Sequence, residues 1–201
     1  MADRVGGMRA VGAFGALLAW MAGGCAGVPA AGTDGNALPA VPGGADVINW
    51  PEAYRPEDAV FFVHNEIEID APPESVWRSL IDAERWPSWY RGATGVRVEG
   101  GEGGHLALGS EISWRTMDQD FVSRVIEFEP PYRLSWESRK GSIQGYHAWL
   151  IVPTGTGSRV ITDESQHGFL AHMQKLFLPN KLRLLHDEWL TGLKARVEAS
   201  E

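Results

Sequence analysis

The chain has 201 residues and a formal net charge of −8, enough length for one domain with extensions. An acidic chain with no basic run argues against nucleic acid as a partner and against electrostatic docking on anionic lipid. The single cysteine excludes an internal disulfide, and nine tryptophans need explaining, because large aromatics bury much area and line pockets.

Residues 1–24 read as a signal peptide. Arg4 and Arg9 precede the short apolar run Ala10–Met21, then come Ala22, Gly23, Gly24 and Cys25. A charged lead, a short apolar core and small residues at its end describe an export signal too short to span a bilayer. The segment resembles the bacterial lipoprotein signal, which implies lipidation of Cys25 and anchoring of the chain in the cell envelope. Ala22 stands where that signal usually has Leu, and an ordinary secretory signal followed by a leftover cysteine is the alternative.

Residues 25–58 are expected to be a tether and an arm. Ala26–Gly44 is Gly, Ala and Pro with almost no large apolar residue, so it cannot build a core. Ala45–Ala59 carries Ile48, Trp50 and Tyr54 and is predicted to lie on the domain.

The folded domain is placed at 59–200. Val60–Ala71 ends in the alternation of Ile67 and Ile69 with Glu66, Glu68 and Asp70, the pattern of a half-buried strand. Pro72-Pro73-Glu74-Ser75 opens a helix whose apolar face is Val76, Trp77, Leu80 and Ile81. A second short helix, Asp82–Trp89, is predicted next. Strands follow at Gly95–Val98, Glu111–Met117, Asp120–Glu129, Tyr132–Ser138, Gln144–Val152 and Ser158–Gln166, separated by turn signals. Short consecutive strands with tight turns predict an antiparallel meander. Gly168–Leu178 reads as helical or irregular, and Pro179 starts or kinks the last helix.

That helix, Pro179–Ala199, gathers Leu182, Leu185, His186, Trp189, Leu190, Leu193 and Val197 on one arc, an apolar face that needs a partner. The order predicts an α+β fold: a curved antiparallel sheet wrapped around a long C-terminal helix, with two short helices after the first strand.

Four stretches carry a family resemblance: Ala71–Tyr90 (APPESVWRSLIDAERWPSWY), Phe128–Trp136 (FEPPYRLSW), Tyr146–Pro153 (YHAWLIVP) and Gly157–Gly168 (GSRVITDESQHG). They resemble the START-like, helix-grip superfamily (SRPBCC), in its polyketide cyclase/dehydrase-like branch. The resemblance implies a helix-grip fold with a cavity between sheet and helix. The superfamily spans lipid transfer proteins, cyclases, dehydratases, hormone receptors and chaperone co-factors, so it does not assign an activity.

Strand parity supplies the candidate ligand-binding residues. His147 and Trp149 share a face, as do Thr162, Glu164 and Gln166, and Trp114 with Thr116. Trp136 joins them, with His186 and Trp189 from the helix. A small hydrophobic molecule in this cavity is the expected partner, and a filled aromatic core is the alternative. His147 and Glu164 are the candidate catalytic pair, an acid and base able to enolise a ketone or dehydrate an alcohol. The competing reading is a cross-strand hydrogen bond that satisfies two polar groups. No ligand spacing such as H-E-x-x-H is present around His167 and His172, so no metal is expected. No iron–sulfur or Rossmann signature implies another cofactor. A third possibility, an interaction module of the envelope, would need an exposed apolar patch.

Overall fold

The computed structural model describes residues 47–200. The signal segment, Cys25 and the Gly/Ala/Pro tether lie outside the described residues.

β1 (Phe61–Ile69) buries Phe61, Val63 and Ile69 and exposes the residues between them, apart from Asn65 and the half-buried Ile67. α1 (Pro73–Ile81) follows. Proline is tolerated at its first turn because that N–H has no helical partner, and Val76, Trp77 and Leu80 form its buried face. The predicted second helix is a 3₁₀ turn, Ala83–Ser88, with Pro87 inside it. Proline has no N–H to continue an α-helical ladder, and tight three-residue turns replace it. This turn buries Trp86 completely, and the Trp86 Nε1 donates to the Leu80 carbonyl at 2.9 Å.

Six strands then run up and down: β2 (Thr94–Glu99), β3 (Glu111–Thr116), β4 (Gln119–Glu129), β5 (Arg133–Lys140), β6 (Ile143–Pro153) and β7 (Ser158–His167). They form one seven-stranded antiparallel sheet of order β1-β7-β6-β5-β4-β3-β2. α2 (Phe169–Phe177) and α3 (Lys181–Glu198) complete the chain. This is the α+β helix-grip architecture expected from the element order.

The inner face of the sheet meets α3. Trp114, Val125, Leu134, Trp136, Trp149, Ile151 and Val160 pack in one cluster with Trp189, Leu190, Leu193 and Val197 of α3 and with α1. Gly192 lets α3 approach closely: a Cβ there would lie 2.6 Å from the Trp89 carbonyl oxygen. The outer face is covered too. Ile48, Trp50 and Tyr54 pack on Tyr146 and Ala148, and Ile48 also reaches the cluster of Leu150, Val152 and Ile161. Tyr54 stacks on Tyr146 with centroids 5.5 Å apart, and the Tyr146 hydroxyl donates to the Asn49 carbonyl at 3.0 Å. β6 is therefore buried on both faces, which explains why its sequence is apolar almost throughout.

α2 is different. It starts at Gly168, whose φ of 97° brings it against the Ser142 carbonyl, a conformation that favours glycine. It buries only Ala171 and leaves Phe169, Leu176 and Phe177 about two-thirds exposed. Among the described residues no helix is long and apolar enough to cross a membrane.

Candidate functional site

The site lies where β6, β7 and α3 meet under the aromatic cluster. Register places His147 of β6 opposite Glu164 of β7 and opposite Trp136 of β5. Because alternate residues share a face, Thr162, Glu164 and Gln166 all turn inward from β7. His186 arrives from α3, one turn before Trp189.

Glu164 Oε2 stands between the two imidazoles, 3.2 Å from His186 Nε2 and 3.4 Å from His147 Nδ1. The other carboxylate oxygen accepts from the Gln166 amide at 2.6 Å. The far nitrogen of His147 pairs with Thr162 Oγ1 at 2.7 Å. The two rings lie nearly parallel with centroids 4.7 Å apart. His147 and His186 are 4% and 2% exposed.

Burial, reinforced by the His186 charge and only partly opposed by Glu164, lowers the His147 pKa from 6.5 to about 3. His147 is therefore neutral at pH 7. Burial alone would raise Glu164, but the His186 hydrogen bond, the two imidazole charges and the Gln166 amide together bring it below its usual value. With His147 neutral, the contacts with His186 and the Gln166 amide are what hold this carboxylate down.

A cavity of about 40 Å³ adjoins the cluster, room for about three water molecules. Its aromatic wall is Tyr90, Trp114, Phe121, Trp136 and Trp189. Tyr90 stacks on Trp189 at 4.5 Å and 11°, and Trp86, Trp114, Trp136 and Trp149 surround Trp189 at 5.0 to 6.1 Å. Five lining residues carry buried polar atoms without a hydrogen-bond partner: Trp136 Nε1, Trp189 Nε1, Gln166 Oε1, Gln174 Nε2 and His186 Nδ1. Such groups are costly unless something pairs with them.

Of the residues singled out from sequence, Trp114, Thr116, Trp136, His147, Glu164, Gln166, His186 and Trp189 line this cavity. Trp149 and Thr162 stand behind it: Trp149 stacks on His147 at 5.5 Å and Thr162 holds its Nε2. Tyr90, Phe121, Leu182 and Gln174 also line the cavity and were not anticipated. Tyr90 sits in irregular backbone after the 3₁₀ turn, where no period marks the buried side. Phe121 had a readable signal, since it faces Trp114 across the β3–β4 ladder.

Chemically, the arrangement can pass a proton between a carboxylate and an imidazole beside an apolar space. The same three side chains offer ligand atoms within 4.8 Å of one another. No local spacing announces this, because the three come from three separate elements.

A family model described as "Polyketide cyclase / dehydrase and lipid transport" matches residues 61–198. No curated protein matches the chain. Among solved structures, the hypothetical protein jhp0584 of Helicobacter pylori is 28% identical, with a TM-score of 0.70 over 75% of this chain and 96% of that one. TTHA0849 of Thermus thermophilus is 21% identical, with a TM-score of 0.58 over 70% and 99%. The di-domain ARO/CYC StfQ from the steffimycin biosynthetic pathway is 14% identical, with a TM-score of 0.60 over 72% and 53%. At such identities the last two are similar in fold alone.

Proposed function

The chain belongs to the polyketide cyclase/dehydrase and lipid-transport family, and from that premise we propose that its domain binds a small hydrophobic molecule bearing several oxygen atoms. The carrying observation is an aromatic-walled cavity whose wall presents buried, unpartnered polar atoms. Aromatic faces suit flat rings or chains. The indole N–H groups of Trp136 and Trp189 suit carbonyl or phenolic oxygens, and Gln166 Oε1 suits a hydroxyl. At about 40 Å³ the cavity admits only water-sized guests, so a larger ligand requires a wall to move. α2 is the element built for it, hinged at Gly168 and holding the domain by a single buried residue.

Organic extraction of the purified full chain, followed by mass spectrometry, tests this reading together with titration by a polyhydroxylated naphthoquinone. Saturable quenching of tryptophan fluorescence is expected, weakened about tenfold in Trp136→Phe, which keeps a ring and removes the N–H. No extracted compound and no saturable quenching would sink the idea.

The second reading is catalysis of a cyclase or dehydratase type, favoured by the position of Glu164 Oε2 between His147 and His186 on the cavity wall. Glu164 would take a proton from a carbon beside a carbonyl, and an imidazole would relay it. Two of the proteins of similar fold are named as ARO/CYC enzymes. Turnover of a bound polyketide-like compound, lost in Glu164→Gln while binding persists, separates this reading from pure binding. The envelope location is also our proposal, resting on residues 1–25 alone. Incorporation of labelled palmitate, absent in Cys25→Ser, tests it.

A further inference from the structure

We propose that His147, Glu164 and His186 form a zinc-binding site on the wall of the cavity. The ligand atoms are His147 Nδ1, Glu164 Oε2 and His186 Nε2. Two edges of the triangle they make measure 3.4 and 3.2 Å. Bonds of 2.0–2.1 Å to a tetrahedral ion place ligand atoms about 3.3 Å apart. An octahedral ion with similar bonds would bring them to about 2.9 Å. The observed edges match the tetrahedral spacing. The three side chains offer one ligand atom each within 4.8 Å of one another, so the widest edge among them closes by at most about 1.5 Å.

The surroundings are those of a metal site. A ligating imidazole usually has its other nitrogen held by a hydrogen bond that fixes ring and tautomer. Thr162 Oγ1 does this for His147 at 2.7 Å, whereas His186 Nδ1 is buried without a partner. Ligating carboxylates are themselves hydrogen-bonded, and the Gln166 amide holds Glu164 Oε1 at 2.6 Å, leaving Oε2 for the ion. Two imidazoles and one carboxylate are the donor set of a catalytic zinc site, which keeps its fourth position open to water.

An independent observation points to that fourth position. Gln166 is 5% exposed, lines the same cavity, and its Oε1 has no hydrogen-bond partner. A water on the ion would donate to it. The adjoining 40 Å³ has room for such a water. A hydrogen-bonded His–Glu–His cluster without an ion would account for the short distances as well, with Gln166 Oε1 met by a plain cavity water.

The test needs no organic ligand, so it can fail separately from the binding proposal. The full chain is stripped with a chelator, titrated with cobalt(II), then competed with zinc(II). One equivalent of cobalt is expected to give the strong visible absorption of a tetrahedral centre, and zinc to abolish it. Glu164→Gln keeps the side chain's size and should weaken metal binding by more than about 100-fold, and Thr162→Val by about tenfold. Zinc should raise the thermal midpoint of the wild type and leave that of Glu164→Gln unmoved. His186→Gln serves as the second ligand variant should Glu164→Gln misfold. A cobalt spectrum without tetrahedral bands, or one unchanged in the folded ligand variants, overturns the proposal.

Discussion

The two faces of the sheet are both buried, but by different means. The inner face is closed by α3, a long helix that contributes Trp189 to a ring of aromatics. It also contains the polar cluster. The outer face, over β6, is closed by the arm through Ile48, Trp50 and Tyr54. The inner face is where stability and chemistry compete for the same space. The outer face is a cover, and its polar groups tie the arm down: Tyr146 donates to the Asn49 carbonyl, and Glu127 accepts from Asn49 and Ser135.

The largest expected contrast is in truncation. Trp189→Ala removes the centre of the inner cluster and should cost about 3–5 kcal/mol in a denaturant titration. Tyr54→Ala, on the cover, should cost about 1–2 kcal/mol. Equal losses would break the distinction between core and cover.

Acid should act next, and on the inner face. In the unfolded chain His147 gains its proton near pH 6.5, whereas in the chelator-treated folded chain it does so near pH 3. The unfolded state therefore binds more protons across that window, and stability falls as pH drops through it. Glu164, held below its usual value, pushes the same way at the lower end. The combined loss should reach a few kcal/mol, read as a falling thermal midpoint, and a midpoint flat from pH 6.5 to 4 would refute it.

Base should act last, on Tyr54 and Tyr146 of the outer face as well as on Tyr90 of the inner one, which burial raises the same way. Burial raises both Tyr54 and Tyr146 above their usual 10.0. The folded state then holds these protons longer than the unfolded one, so stability is intact below pH 10 and declines above it. Replacing both with Phe should remove the part of the alkaline loss that comes from this pair. Retention of the whole loss would assign it elsewhere.

The inner face was legible in the sequence because β-strand alternation is geometric. Once β6 and β7 were recognised, His147 and Trp149 had to share one side, and Glu164 and Gln166 another. The apolar stripe of α3 likewise placed His186 and Trp189 on its buried face. The meeting of His186 with Glu164 was not fixed, because it depends on how far the helix rotates over the sheet. The arm over Tyr146 and Ala148 was expected to lie on the domain, but its place on the sheet was hidden for another reason. A strand apolar on both sides shows that something covers it, but the cover lies roughly a hundred residues earlier. Pro87 misled in a small way: the turn around it was expected to be a helix, and a missing N–H made it 3₁₀.

The strand order has one consequence in time. β1 pairs only with β7, from Phe61 opposite Gln166 to Ile69 opposite Ser158, a separation of roughly a hundred residues that marks slow, non-local closure. A growing chain can form its hairpins from β3 onward, but β1 has no neighbour until β7 is made, and the inner face has no lid until α3 follows. The domain therefore reaches its final form only when β7 and α3 exist. Until then it is a chain in waiting, still able to be threaded, bound or carried elsewhere.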